Sequence, residues 1–125
     1  MTGGAVVWWE IETPDPAGAQ AFYGDLFGWT FRRAFEGSDL GRDYWIITSS
    51  GGETLGGLQS GAHRPQAGAR LYVQVDDLEQ TIEAALGRGA TLERGRTFLG
   101  SDDFWFANLL DPQGVSFGLW TSAPA

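Results

Sequence analysis

Residues 9–29 read WEIETPDPAGAQAFYGDLFGW, and this stretch decides the fold. Its start continues an alternation that begins at Ala5. Val7, Trp9 and Ile11 alternate with Trp8, Glu10 and Glu12, which is the period of a β-strand. Pro14-Asp15-Pro16 breaks that strand. Asp15 can accept from free backbone N–H groups at a helix start, and Pro16 suits the first turn because its missing N–H would have no partner there. Ala19, Phe22, Tyr23, Leu26 and Phe27 then fall on one helical face, and Gly28 is placed to end the helix. Trp29 to Phe35 reads as the next strand.

Working outward, Asp43 to Ser49 and Thr54 to Gln59 read as two more strands, with Gly51-Gly52 as the turn between them. Ser60 to Gly68 has no periodicity and reads as a linker. The order then repeats. Arg70 to Val75 is a strand, and Asp76 or Asp77 caps a helix, with Glu79 and Gln80 at capping-box spacing. Leu78, Ile82, Ala85 and Leu86 mark its buried face, and Gly87 and Gly89 close it. Ala90 to Phe98, Asp103 to Leu110 and Val115 to Thr121 are strands, the last two joined by the turn Asp111-Pro112-Gln113-Gly114. Two βαβββ modules predict an α+β fold: mixed sheets curled around a cavity, with helices on the outer face. The expectation is one domain over residues 1–125, with module one at 5–59, a linker at 60–68 and module two at 69–121.

Composition narrows the function. The chain has 125 residues, 42% of them apolar and 14% aromatic, enough for a packed core without staples. No apolar run approaches the roughly 18 residues of a bilayer span, and the N-terminus does not read as a signal peptide, so a cytoplasmic location is expected. There is no cysteine, which excludes disulfides, thiol nucleophiles and thiolate metal sites. All eight basic residues are arginine, so lysine Schiff-base chemistry is excluded. The net charge of −8 repels nucleic acid and anionic membranes and favours a cationic ligand; its plain alternative is solubility. No GxSxG, Walker loop or GxGxxG is present, and the single histidine, His63, falls in the predicted linker. Asp102-Asp103 reads as a solvated turn.

The stretch from Trp9 to Pro16, the segment Ala21-Phe-Tyr-Gly-Asp-Leu-Phe-Gly-Trp29, the strand Tyr72-Val-Gln-Val-Asp-Asp-Leu78 and the Asp111–Gly114 turn together resemble the vicinal oxygen chelate superfamily. That group holds glyoxalases, bleomycin resistance proteins and extradiol dioxygenases, and the resemblance runs from Val6 to Thr121. It implies paired βαβββ modules and a homodimer. It also implies a divalent metal held by one side chain from each of four strands. The matching positions here are Trp8, the neighbourhood of Gly57 to Gln59, Arg70 and Gly118. Only Gln59 among them could donate to a metal, because indole, guanidinium and glycine cannot. No metal and no cofactor are therefore expected, and metal-dependent glyoxalase or dioxygenase activity is disfavoured.

Strand alternation then assigns a lining. Trp8, Glu10 and Glu12 share one face; Arg70, Tyr72 and Gln74, then Ser116, Gly118 and Trp120, and then Phe104, Phe106 and Asn108 share the corresponding faces of later strands. Val7, Leu71, Val73 and Val75 point to the helices. The candidate ligand-binding set is Trp8, Glu10, Gln59, Arg70, Tyr72, Phe104, Phe106, Asn108, Gly118 and Trp120. The aromatics would stack a planar molecule, and Gly118 would leave space or admit a close approach to the backbone. The alternatives are a Glu10–Arg70 salt bridge on a strand face, aromatics that only fill the interior, and a bulge at Gly118. Three functions follow. The first is metal-independent binding of a small molecule, with sequestration of a planar or cationic metabolite or antibiotic. The second is a metal-free isomerase, epimerase or lyase with Glu10 as base and Arg70 or Asn108 polarising a carbonyl. The third is an interaction module with a filled interior.

Overall fold

The computed structural model of the chain describes residues 3–61, 68–100 and 104–122. The elements run β1 Gly3–Thr13, α1 Pro16–Phe27, β2 Thr30–Arg33, β3 Tyr44–Thr48, β4 Thr54–Ser60, β5 Gly68–Val75, α2 Leu78–Gly87, β6 Thr91–Phe98, β7 Trp105–Leu110 and β8 Ser116–Thr121. This is βαβββ twice, so the α+β reading holds. His63, Asp102 and Asp103 lie outside the described residues, as does most of the predicted linker. No helix among the described residues is long and apolar enough to cross a membrane.

The local chemistry sets these boundaries. Asp15 Oδ1 accepts from the Gly18 N–H at 3.0 Å, with Pro16 in the first turn, and Asp77 does the same for Gln80 at 3.0 Å. At the far end of α1, Gly28 sits at φ 72° and donates its N–H to the Gly24 carbonyl at 2.9 Å. A side chain there would strain the left-handed backbone that stops the helix. In the last turn, Asp111 Oδ1 takes the N–H groups of Gln113 and Val115.

By contacts the chain forms two units. The first spans Trp8–Glu36 and Gly41–Arg70; the second holds the residues up to Val7, Gly37–Leu40 and Leu71 onward. In the first unit the strands run in the order β2-β3-β4-β1, with β1 parallel to β4 and the other pairs antiparallel. In the second unit the order is β5-β8-β7-β6, with β5 parallel to β8 and the rest antiparallel.

The second unit has the conventional core. Val75, Leu78, Ile82, Ala107, Leu109 and Leu119 form one buried cluster, with Val73, Trp105 and Phe117 against it. The register pairs Ala107 with Leu119, which puts both under α2. Each large aliphatic removed from water here contributes about 1.5–3 kcal/mol.

Helix α1 behaves differently. The sequence predicts a buried face of Ala19, Phe22, Tyr23, Leu26 and Phe27, yet α1 buries no residue fully, and Phe22 is 60%, Leu26 59% and Phe27 51% exposed. The helix has one apolar side, but most of that side lies uncovered. Tyr23 makes the inward contact, stacking on Trp29 at 5.2 Å, while Trp29 meets Trp9 at 6.3 Å. Trp9 itself seats on Gly56, where an added Cβ would stand 2.6 Å from the Trp9 carbonyl oxygen. Val7 and Leu71, expected under the helices, are 42% and 52% exposed, because α2 covers only the part of its sheet lined by Val73, Val75, Leu109 and Leu119.

Candidate functional site

In the first unit the face of the sheet away from α1 is charged and buried. Register pairs Glu10 with Gly57 and Glu12 with Gln59, so these four residues share that face. Glu10 is 2% exposed, Glu12 3%, Gln59 4% and Arg70 4%. The Arg70 guanidinium lies between the two carboxylates. Nη1 donates to Glu10 Oε2 at 2.9 Å, and Nη2 donates to Glu12 Oε1. Arg42 Nη1 holds the other oxygen of Glu12 at 3.3 Å, and the Tyr44 hydroxyl donates to the other oxygen of Glu10 at 2.9 Å. Trp8 Nε1 donates to that same hydroxyl at 2.8 Å. Two carboxylates thus face two guanidiniums. Charges this deep are tolerated only because each is paired and hydrogen-bonded.

The Tyr44 hydroxyl reaches Glu10 by crossing Gly57: a Cβ at Gly57 would overlap the Tyr44 ring and hydroxyl. Glycine in this strand is a requirement of close approach.

In the second unit the corresponding face is mainly aromatic, with charge only at its edge, where Arg94 lies over Phe106 and Ser116 donates to Glu93. Register aligns Tyr72 with Gly118 and Asn108 with Gly118, so the three share a face. The Tyr72 ring lies on Gly118, where any Cβ would overlap it. Asn108 Nδ2 donates to the Tyr72 hydroxyl at 2.8 Å, and Phe106 meets the Tyr72 ring edge-on at 6.2 Å. Tyr72, Phe106 and Asn108 are buried. Phe104 and Trp120 form a half-buried pair with centroids 5.0 Å apart. Arg94 lies over Phe106, its Cζ 5.6 Å from the ring centre, and Nε donates to Thr97 Oγ1 at 3.0 Å.

The structure therefore brings Trp8, Glu10, Gln59 and Arg70 together in the first unit, and Tyr72, Phe104, Phe106, Asn108, Gly118 and Trp120 in the second. The space over Gly118 is taken by Tyr72. Sequence reading does not find Tyr44, Arg42 or Arg94. Tyr44 belongs to the site only because register sets it across from Gln59, and Arg42 and Arg94 show no period or motif. The Gly56-Gly57 pair was the available signal, since glycine inside a strand marks something lying close above it.

The residues do not fit a divalent ion. The four superfamily positions carry an indole, the Gly57–Gln59 neighbourhood under Tyr44, a guanidinium already engaged by two carboxylates, and a glycine under a tyrosine ring. Among the described residues no three of His, Cys, Asp and Glu converge on a metal-sized site.

Two βαβββ modules with glycine-seated interiors define a protein of the vicinal oxygen chelate type. A family model for the glyoxalase-like domain matches residues 8–120, and the chain belongs to that family. A glyoxylase-like domain-containing protein of Didymella fabae is 34% identical over 82 residues, which is 64% of each chain, so the match spans less than two thirds of that relative. Among solved structures, a Streptomyces coelicolor methylmalonyl-CoA epimerase variant in complex with 2-nitronate-propionyl-CoA superimposes with a TM-score of 0.60 at 15% identity, covering 99% of this chain and 100% of that one. The Mycobacterium tuberculosis methylmalonyl-CoA epimerase gives 0.57 at 18% identity, covering 97% and 89%. At such identities the likeness concerns the fold.

Proposed function

We propose that this chain is a metal-independent, small-molecule-binding member of the glyoxalase-like family that sequesters a planar or cationic metabolite or antibiotic. The observation that carries this reading is the substitution of chemistry at the superfamily's metal positions. Arg70 sits ion-paired between Glu10 and Glu12, and Tyr72 covers Gly118. What is left for a ligand is stacking. Trp120 and Phe104 are half-buried, and register sets Phe106 beside Trp120 on the same face. Aromatic faces favour a flat molecule, and a net charge of −8 favours a cation. The same charge opposes nucleic acid and anionic membranes as partners. The protein works as one domain, as a homodimer, in the cytoplasm.

A thermal-shift screen against planar cationic and neutral aromatic compounds tests this. A ligand of the folded state at 100 times its Kd adds about 2.7 kcal/mol and raises Tm measurably. The Trp120→Ala variant should lose the shift. A broad panel with no stabilising member counts against binding and favours the filled-interior module.

A second reading is a metal-free epimerase or isomerase with Glu10 as the base. It is supported by the fold likeness to methylmalonyl-CoA epimerases and by a buried carboxylate 2.9 Å from a guanidinium. Against it, Glu10 is 2% exposed and each of its oxygens already accepts a hydrogen bond, which leaves little of the carboxylate open to a substrate. Incubation with methylmalonyl-CoA in D2O decides: α-deuteration abolished by Glu10→Gln supports catalysis, and undiminished exchange in Glu10→Gln removes this mechanism.

A further inference from the structure

Asn108 lies on the aromatic face of the second unit. It is 5% exposed and sits on β7, with Gly118 across from it on β8. Phe106 is two residues away on the same strand, and register sets Phe106 beside Trp120. Residues two apart on a strand share a face, so Asn108 belongs with the Phe106 ring and the half-buried Trp120–Phe104 pair.

The amide is oriented by its own hydrogen bonds. Nδ2 donates to the Tyr72 hydroxyl at 2.8 Å and to the Ala107 carbonyl at 3.2 Å. A backbone carbonyl only accepts, so the atom facing it is the nitrogen, and turning the amide end for end would lose that bond. An amide nitrogen carries two hydrogens, and both are engaged here. The oxygen is in a different position. No described residue donates to Asn108 Oδ1. Arg94, its register partner on β6, sends Nε to Thr97 Oγ1 and Nη2 to the Asp39 carbonyl. Oδ1 is not sealed in without a partner, as Trp105 Nε1 is; it keeps contact with solvent. A residue buried almost completely thus leaves an acceptor with two lone pairs open on the aromatic face.

A ligand that covers this face displaces the water at Oδ1, and an acceptor stripped of water with no donor in its place opposes binding. An N–H at the ligand's edge makes up that loss. A carbonyl or ether oxygen there sets oxygen against oxygen. The difference decides between molecules of equal flatness and area. We propose that Asn108 is a specificity-determining residue of this face, its Oδ1 selecting planar ligands that carry an N–H donor, with amino-substituted heteroaromatics as the chemical class. The selection rests on the reading above that this face stacks a flat ligand. It also narrows that reading, because Asn108 has no hydrogen left to give to a ligand carbonyl. Tyr72 is a positioning residue: its hydroxyl holds Nδ2 and so keeps Oδ1 presented.

Thionine and methylene blue separate the donor from the stack. Both are flat phenothiazinium cations of the same charge; thionine ends in –NH2 groups, and methylene blue ends in –N(CH3)2 groups with no N–H. Each dye is titrated by absorbance into wild type, Asn108→Leu, Asn108→Asp and Tyr72→Phe, with the fold of each variant checked by its Tm. Wild type should bind thionine about tenfold more tightly than methylene blue, the worth of one hydrogen bond. Asn108→Leu, similar in size but without an acceptor, should bring that ratio close to one by weakening thionine alone. Asn108→Asp puts an ionised acceptor in the same place and should raise the ratio by about threefold or more. Tyr72→Phe releases Nδ2 and should lower the ratio to about threefold. The methyl groups of methylene blue add bulk as well as removing donors, and a preference due to bulk survives Asn108→Leu. Equal affinity of the wild type for both dyes, a result that needs no variant to fold, would overturn the selection and leave the stacking in place. A preference that Asn108→Leu leaves intact would do the same. Binding of neither dye by any form would overturn the stacking reading, and the selection with it.

Discussion

In the first unit a tyrosine lies over a strand glycine and donates its hydroxyl to a carboxylate; in the second a tyrosine lies over a strand glycine and accepts from an amide. Tyr44 over Gly57 belongs to a network of four charges, Tyr72 over Gly118 to a neutral one backed by Phe106. The helices differ in parallel. Helix α2 packs Leu78 and Ile82 against the aliphatic backs of three strands, whereas α1 turns Tyr23 inward and leaves Phe22, Leu26 and Phe27 more than half exposed. The second unit carries the greasy core. The first buries Ile46, Ile47 and Leu58 as well, and adds to them a buried face whose charges must stay paired.

The largest effect should come from breaking that pairing. Arg70→Met leaves two buried carboxylates without their shared cation and should cost about 3–5 kcal/mol in a urea melt. Adding Glu10→Gln and Glu12→Gln should recover most of it, since the penalty is stranded charge. If the single variant lost under about 1 kcal/mol, the first unit would not be held together by charge.

Next is the contrast between the helices. Ile82→Ala in α2 should cost about 2–5 kcal/mol, and Leu26→Ala in α1 about 0.5 kcal/mol or less in dilute monomer. The homodimer reading sharpens this: a cost at Leu26 that grows with protein concentration would show α1 covered by a second copy. Light scattering on the same samples gives the mass.

Crowding over the glycines comes third. Gly118→Ala should cost about 1–3 kcal/mol through overlap with Tyr72, and Tyr72→Ala should relieve that overlap in a double-mutant cycle. Additive costs would mean that the ring does not sit on the glycine. The smallest effect is Trp8→Phe, which removes one hydrogen bond to the Tyr44 hydroxyl and should cost about 0.5–1.5 kcal/mol.

The fold was legible because its signals are local. Asp15 and Asp77 are capping residues at the starts of apolar periods, Gly28 is the only residue type that stops α1 without strain, and the Asp111–Gly114 turn has a defined hydrogen-bond pattern. Inward-facing positions were legible wherever strict alternation holds, as for Glu10, Arg70, Tyr72 and Asn108. The partnerships were not. Nothing in the residue order says that Tyr44 bends over Gly57, that Arg42 completes Glu12, or that Asp39 reaches Arg94 across 55 positions. Those follow from register and from the path of a loop. The exposure of α1 was hidden for a related reason: periodicity reports that a helix has an apolar side, and a single chain does not say what covers it.

At positions where the superfamily places a metal, Arg70 is ion-paired to two carboxylates and the Tyr72 ring lies on Gly118. Native mass spectrometry of the protein as purified, set against the mass of the denatured chain, tests the metal-independent reading most directly. We expect a folded species free of stoichiometric divalent metal, carrying an organic adduct that denaturation releases. One tightly held divalent ion per chain, with no organic adduct, would contradict it.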